Sequence, residues 1–146
     1  MGFYVRYYMT DSADLSLAQL QTGLKDYDPA YRLPHEGDAG ELHYGEELYA
    51  EAEINRPGEE LFDEEIAETI ESVEAEGGAG AADVAAALRD TKRTVVLRIL
   101  WQGRDPEQTL SKIDPVIAWL TLNREGLLQV DGEGFYEGDE LILEME

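Results

Sequence analysis

Residues 94–102, Thr-Val-Val-Leu-Arg-Ile-Leu-Trp-Gln, form the most hydrophobic and most β-branched run of the chain. β-branched residues favour strands, and a strand that is apolar on both sides needs cover on both sides. We therefore predict that this run is a central strand rather than an edge strand. Arg98, its one charged residue, would then lie in the middle of a sheet.

The other elements follow from the spacing of the apolar residues. Period-two alternation predicts a strand at 3–10 and a hairpin of 41–44 with 48–55, closed by the turn Gly45-Glu46. Helical spacing predicts helices at 15–24, 61–76 and 82–90 and a fourth that begins at Pro106. Two further strands are predicted at 127–130 and 135–144.

This order of elements predicts an α+β fold. Its first part matches a ferredoxin-like antiparallel sheet with helices mainly on one face, and a C-terminal α-β-β unit would extend that sheet. A chain of 146 residues with 43% hydrophobic residues can bury one sizeable core. We expect a single domain over residues 1–146.

The charge of the chain limits its partners. Thirty-three acidic residues and eleven basic ones give a formal net charge of −22. Sixteen of the acids lie between residues 36 and 76, where Arg56 is the only basic residue. Such a surface repels phosphate backbones, so nucleic acid is not an expected partner. It would suit a basic protein or weak, non-specific divalent cations, but it is more typical of a solvated surface or of adaptation to high salt.

The chain lacks the residues that several kinds of catalysis and metal binding require. The chain has no cysteine, which excludes thiol catalysis, disulfides and cysteine metal sites. His35 and His43 do not have helical ligand spacing, and the acids after Asp131 lack the calcium-loop pattern, so we predict no metal site. No phosphate loop or nucleophile elbow is present, and no cofactor is predicted. No secretory signal or apolar run of about 20 residues is visible, so we expect a cytoplasmic protein with no membrane partner.

One set of polar side chains is a candidate ligand site. Strand parity places it on the face of the sheet that points away from Phe3, Val5 and Tyr7. The set consists of Tyr4, Arg6, Tyr8, Tyr49, Glu51, Glu53 and Arg98. Two interpretations stay open: cross-strand ion pairs that need no ligand, or a pocket in which Arg6 and Arg98 hold an anion.

These observations favour a protein that acts by binding rather than by catalysis. The expected partner is a second copy, in a homodimer over the sheet face, or a basic protein. The alternative is a small-molecule enzyme or ligand sensor that uses the Tyr/Arg/Glu cluster. The segments 53–58 and 101–104 also have the look of signature motifs, although no activity follows from either.

We predict that moderate salt stabilises the fold. Unpaired carboxylates repel one another, and NaCl up to ~0.5 M or millimolar Mg²⁺ screens that repulsion. The melting temperature, followed by circular dichroism, should rise with salt. A flat or falling melting temperature over this range would contradict the role given to the acids.

Overall fold

The β-branched run forms a strand in the interior of the sheet. This strand, β6 (Arg93–Ile99), pairs on one side with β5 (Glu47–Asn55) and on the other with β1 (Phe3–Met9). The architecture comes from a computed structural model that describes residues 2–145. The predicted central position of this run is therefore confirmed.

The fold is α+β, with four helices and one antiparallel sheet of nine strands. The strand order is β2-β4-β5-β6-β1-β7-β8-β9, and β3 pairs with β4 outside this path. The helices are α1 (Leu17–Tyr27), α2 (Glu60–Glu76), α3 (Ala79–Arg89) and α4 (Pro106–Asn123). The remaining strands are β2 (Tyr31–Arg32), β3 (His35–Glu36), β4 (Ala39–Tyr44), β7 (Gly126–Val130), β8 (Gly134–Glu137) and β9 (Glu140–Glu144).

The strand order differs from the ferredoxin-like prediction. In a ferredoxin-like sheet the first strand lies beside the second strand of the hairpin, whereas here β6 lies between β5 and β1. The run 135–144, predicted as one strand, is a hairpin of β8 and β9 turned at Gly138-Asp139. Gly138 adopts φ 60°, which a glycine accepts without strain and which breaks the extended run. The hairpin turn that was predicted, Gly45-Glu46, is confirmed between β4 and β5.

Helices pack on both faces of the sheet, not mainly on one. On the first face, which we call the α1/α4 face, Leu20 of α1 and Ile113 of α4 share a core with Val5 and Leu97. On the second, the α2/α3 face, strand residues such as Tyr8 and Phe135 pack with side chains of α2 and α3, among them Val73, Val84 and Leu88. The prediction that the helices lie mainly on one face was wrong, because α1 and α4 pack on one face and α2 and α3 on the other.

Each face is covered over only part of its width. The core of the α2/α3 face draws its strand residues from β1, β7, β8 and β9. Toward β4 this face carries exposed side chains such as Glu41, Glu51 and Arg98, while Asn55 of β5 and Thr94 of β6 are buried. The core of the α1/α4 face is built on β2, β4, β5, β6, β1 and one residue of β7. We call the bare part over β4–β6 the polar half and the bare part over β7–β9 the apolar half. The contents of these two halves are described below.

The ends of the helices follow local sequence signals. Ser16 caps α1 in a reciprocal capping box with Gln19, and Asp105 caps α4 by accepting from the Glu107 N–H, with proline at the first turn. Helix α2 has no side-chain N-cap and ends at Gly77, at φ 69°. It therefore depends on docking of Phe62 and Val73, its two buried apolar side chains. Within residues 2–145, no helix is long and apolar enough to cross a membrane.

Gly80 provides a test of how α3 meets the sheet edge. A Cβ at this position would lie 2.0 Å from the carbonyl oxygen of Ile142 in β9. Glycine to alanine in a helix normally stabilises by about 1 kcal/mol, but here the clash should dominate at about 1–3 kcal/mol. We expect Gly80→Ala to lower the midpoint of urea unfolding.

The matched control is Ala82→Gly, an exposed position on the same helix. It measures the propensity effect alone and should cost about 1 kcal/mol. A more stable Gly80→Ala variant would show that α3 does not approach β9 this closely.

Candidate functional site

Most of the predicted site residues lie on the α2/α3 face, in neighbouring rows across the strands. Arg98 is paired in register with Glu51 on one side and Tyr4 on the other. In the next row Val96 lies between Glu53 and Arg6. Cross-strand partners project to the same face, so the strand parity read from the sequence holds for six of the seven residues, all except Tyr49.

Arg98 forms an ion pair with Glu51 across the strands. Both side chains are about half exposed, at 49% each. A pair this exposed contributes little to stability, about 0–1 kcal/mol. Since its guanidinium is engaged and solvated, Arg98 matches the cross-strand pairing interpretation better than a role in a ligand pocket.

Tyr49 does not belong to this group. A β-bulge between β4 and β5 pairs Leu42 with Ala50 and His43 with Leu48, which leaves Tyr49 without a partner. The extra residue shifts the side-chain alternation, and Tyr49 joins the core of the α1/α4 face, where Arg104 stacks on its ring at 3.9 Å. The assignment of Tyr49 to the site was wrong for this reason.

Tyr8 lies on the predicted face but underneath helix α2. Only 3% of its surface is exposed, and its ring packs against Phe135 at a centroid distance of 6.1 Å. Burial raises the pKa of the Tyr8 hydroxyl, while the charge of Arg6 and a hydrogen bond with Thr69 act in the opposite direction. The residue therefore forms part of the floor of a cleft rather than of an open surface.

We call this depression the polar cleft. It has a volume of about 480 Å³ and lies between α2 and the strands β1, β7 and β8. Arg6 and Tyr8 are its residues from the predicted set. The other polar side chains that line it are Glu65, Glu68, Thr69, Ser72, Gln129 and Asp131.

Arg6 is held in the polar cleft by a small network. Its Nη1 donates to Gln129 Oε1 at 3.0 Å and to Asp131 Oδ1 at 3.2 Å, and its guanidinium lies 4.8 Å from the centre of the Tyr4 ring. Asp131 Oδ2 accepts from the backbone N–H of Tyr4 at 2.9 Å. An anionic ligand would have to compete with Asp131 for Arg6.

The carboxylates make the cleft negative overall. Glu65, Glu68 and Asp131 line it together with a single cation, Arg6. Burial raises the pKa of Glu65; Arg6 opposes this shift, and Glu53 and Glu68 add to it. A neutral or cationic group fits this charge distribution better than an anion.

The sequence pointed to only part of this site. From the sequence, the acids of α2 were interpreted as a solvated surface. Thr69 and Ser72 could not be identified as site residues, because an isolated hydroxyl on a helix forms no recognisable pattern. Asp131 stood out only as part of a failed calcium loop. Its pairing with Arg6 spans 125 residues and depends on the register between β1 and β7, which no local pattern encodes.

Comparison of the chain with protein-family models, with curated proteins and with solved structures finds no match in any of the three. The function is therefore argued from the chemistry of the surface and the clefts. Within residues 2–145 no group of three or more His, Asp or Glu side chains is placed to hold a metal ion.

Ten of the eleven basic side chains have a partner within residues 2–145, and the eleventh, Lys25 of α1, is exposed. Over residues 2–145, five of the eleven form ion pairs: Arg6, Arg56, Arg89, Lys92 and Arg98. Another four donate to backbone carbonyls: Arg32, Arg93, Arg104 and Arg124. The ammonium group of Lys112 lies over the Tyr44 ring at 3.8 Å. Within residues 2–145, these five ion pairs leave most of the acids without a lysine or arginine partner.

Arg56 and Arg104 show this internal use most clearly. Arg56 holds Asp38 with two hydrogen bonds, at 2.9 and 3.1 Å, and Arg104 donates to the carbonyls of Leu48 and Leu100 at 2.7 and 2.8 Å. Both residues lie in the segments that looked like signature motifs. Their visible role is to fasten loops to the sheet.

We predict that Glu65→Gln stabilises the protein at neutral pH. The folded-state pKa of Glu65 is raised, so its charged form opposes folding above that pKa, and the penalty disappears as the pH falls and the carboxyl is protonated. The melting temperature should rise by about 1–3 °C at pH 7.5, and the gain should shrink toward pH 4. Glu64→Gln, its exposed neighbour, is the control. An equal or larger gain in melting temperature from the control would show that Glu65 is not destabilised by its burial in the polar cleft.

Proposed function

We propose that this protein acts by binding a basic protein through an acidic surface. This surface, the acidic face, comprises the exposed carboxylates of α2 together with Glu41 and Glu53 of the polar half. The observation that carries the proposal is the internal use of the basic side chains. Because ten of the eleven basic side chains have partners among residues 2–145, the exterior presents an excess of carboxylates that an external cation would neutralise.

Helix α2 is the densest part of the acidic face. Seven of its acids are exposed: Glu60, Asp63, Glu64, Glu68, Glu71, Glu74 and Glu76. Only Glu74 has a cationic partner, Arg89 at 2.8 Å. Like charges at spacings of three and four cost an isolated helix about 0.2–0.5 kcal/mol per pair. A basic partner would remove this cost and would gain fast association from the long-range field.

The polar cleft extends the acidic face inward. Glu65 and Glu68 border it, and Glu53 is close enough to raise the pKa of Glu65. A lysine or arginine side chain of the partner would meet carboxylates there, with the Tyr8 ring and Phe135 beside its aliphatic stem. This is the position at which we place the centre of the interface.

The charge favours this partner over a second copy. Two molecules of net charge −22 repel each other, and Val96 and Leu100 in the polar half are only half-exposed, with Arg98, Glu51 and Glu53 around them. A dimer over this half would bring unpaired carboxylates together. The small-molecule role remains the alternative, supported by the volume of the polar cleft and by its mixed polar lining.

The test removes three charges from α2. Partners are captured from the native host with the intact protein, identified by mass spectrometry and then purified. We expect a protein with a basic surface whose affinity falls about tenfold or more for Glu64→Gln/Glu68→Gln/Glu71→Gln, and which is released as NaCl rises toward ~0.5 M.

The matched control variant is Asp26→Asn/Glu36→Gln/Glu46→Gln. It removes the same charge from exposed positions outside the acidic face. It should retain most of the affinity. Equal losses in both variants would reduce the effect to net charge, and a partner that binds unchanged to the α2 variant would exclude the acidic face as the interface.

A further inference from the structure

The apolar half of the α1/α4 face differs in chemistry from the polar half of the other face. In the polar half the bare strands carry ionic side chains such as Glu41, Glu53 and Arg98, which water solvates. In the apolar half, Val130 of β7 and Tyr136 of β8 lie on the α1/α4 face, as does Leu141, the register partner of Tyr136. Leu141 is 42% exposed, while Val130 and Tyr136 are partly buried against the core, so apolar surface continues from the core into this half.

A cleft lies where α4 meets this apolar half. The apolar cleft, as we name it, has a volume of about 410 Å³, within the range of small-molecule sites. Its floor is formed by Phe3, Val5, Leu128 and Val130 of the sheet, and Ile117 of α4 forms one wall. It opens on the opposite side of the sheet from the polar cleft, so it is separate from the acidic face.

The rim of the apolar cleft is acidic. Asp114 of α4, Glu133 of the turn before β8 and Asp139 of the turn before β9 line it, and no lysine, arginine or histidine does. The hydroxyl of Tyr136 donates to the carboxylate of Glu133, which fixes this carboxylate beside the apolar floor. Partial burial raises the pKa of Asp114, so a cation near this carboxyl would favour its charged form.

We infer that the apolar cleft binds a small hydrophobic amine, with its apolar body on the sheet floor and its ammonium group at the rim. The hydrophobic floor favours a ligand with an apolar body, since that body would cover Phe3, Val130 and Ile117 and remove apolar surface from water. The three carboxylates, with no basic side chain lining the cleft, select the positive charge. This site is independent of the basic partner proposed for the acidic face.

The experiment compares three probes of similar shape and different charge. They are 2-phenylethylammonium, 2-phenylethanol and 3-phenylpropanoate, titrated into the ¹⁵N-labelled intact protein in buffered salt and followed by NMR. We expect saturable shifts at the amides around Ile117, Val130 and Gly138. The amine should bind roughly three- to tenfold more tightly than the alcohol, and the carboxylate more weakly than the alcohol.

The variants assign the selectivity to the rim. Glu133→Gln/Asp139→Asn should bring the affinity for the amine close to that for the alcohol and leave the alcohol unchanged. Glu36→Gln/Glu46→Gln removes the same charge from exposed positions that line neither cleft and should keep the selectivity. If the first variant does not fold, Asp139→Asn alone, in an exposed turn, should give part of the same loss.

A blocking variant tests the cleft itself. Ala118 is exposed on α4 and lines the cleft, so Ala118→Trp should fill the entrance without entering the core, and binding of both the amine and the alcohol should be lost. Equal affinity for all three probes, tighter binding of the carboxylate, shifts centred on another surface, or no saturable shift with any probe would overturn the inference.

Discussion

The width of the sheet is the constraint on which the rest of this structure depends. Nine strands present two broad faces, and four helices, two on each face, cannot cover both. The helices are offset, so that one face is bare over β4–β6 and the other over β7–β9. The polar cleft lies where α2 covers β1, β7 and β8, and the apolar cleft lies where α4 meets the apolar half.

The chemistry of each bare half follows from the residues that alternate along its strands. Over β4–β6 the outward positions include the charged residues Glu41, Glu51, Glu53 and Arg98, and the protein extends this surface with the acids of α2. Over β7–β9 the outward positions are apolar, although nothing in the described part of the chain packs on them fully. The two halves therefore suit different partners: a charged surface that attracts cations at long range, and a hydrophobic floor that acts only on contact.

The sequence predicted the elements better than their arrangement. The central strand, the Gly45-Glu46 turn and the faces of β1 followed from local patterns, because alternation and turn chemistry are properties of neighbouring residues. The strand order did not, since the same elements are compatible with β6 or β1 beside β5. Tyr49 was misplaced because a one-residue bulge inverts the alternation, and a bulge of this kind leaves no clear mark in the sequence.

The site was predictable to the extent that it lies on single strands. Arg6, Tyr4, Arg98 and the two glutamates were identified from parity, whereas Asp131 and Gln129 required the pairing of β1 with β7. Residues of α2 entered the site only because the helix docks over Tyr8. In general, a residue contributed by a distant strand or by helix docking carries no local signal.

The position of β1 also determines when the fold can be completed. Phe3 pairs with Ile99, and Val5 pairs with Val130, so the first strand meets its partners only after most of the chain has been made. The hairpin of β4 and β5 can form locally, but β1 must remain unpaired until β6 and β7 arrive. Such long-range pairing slows folding and leaves an apolar strand exposed during synthesis. The net charge of −22 opposes association at this stage, because chains of like charge repel one another.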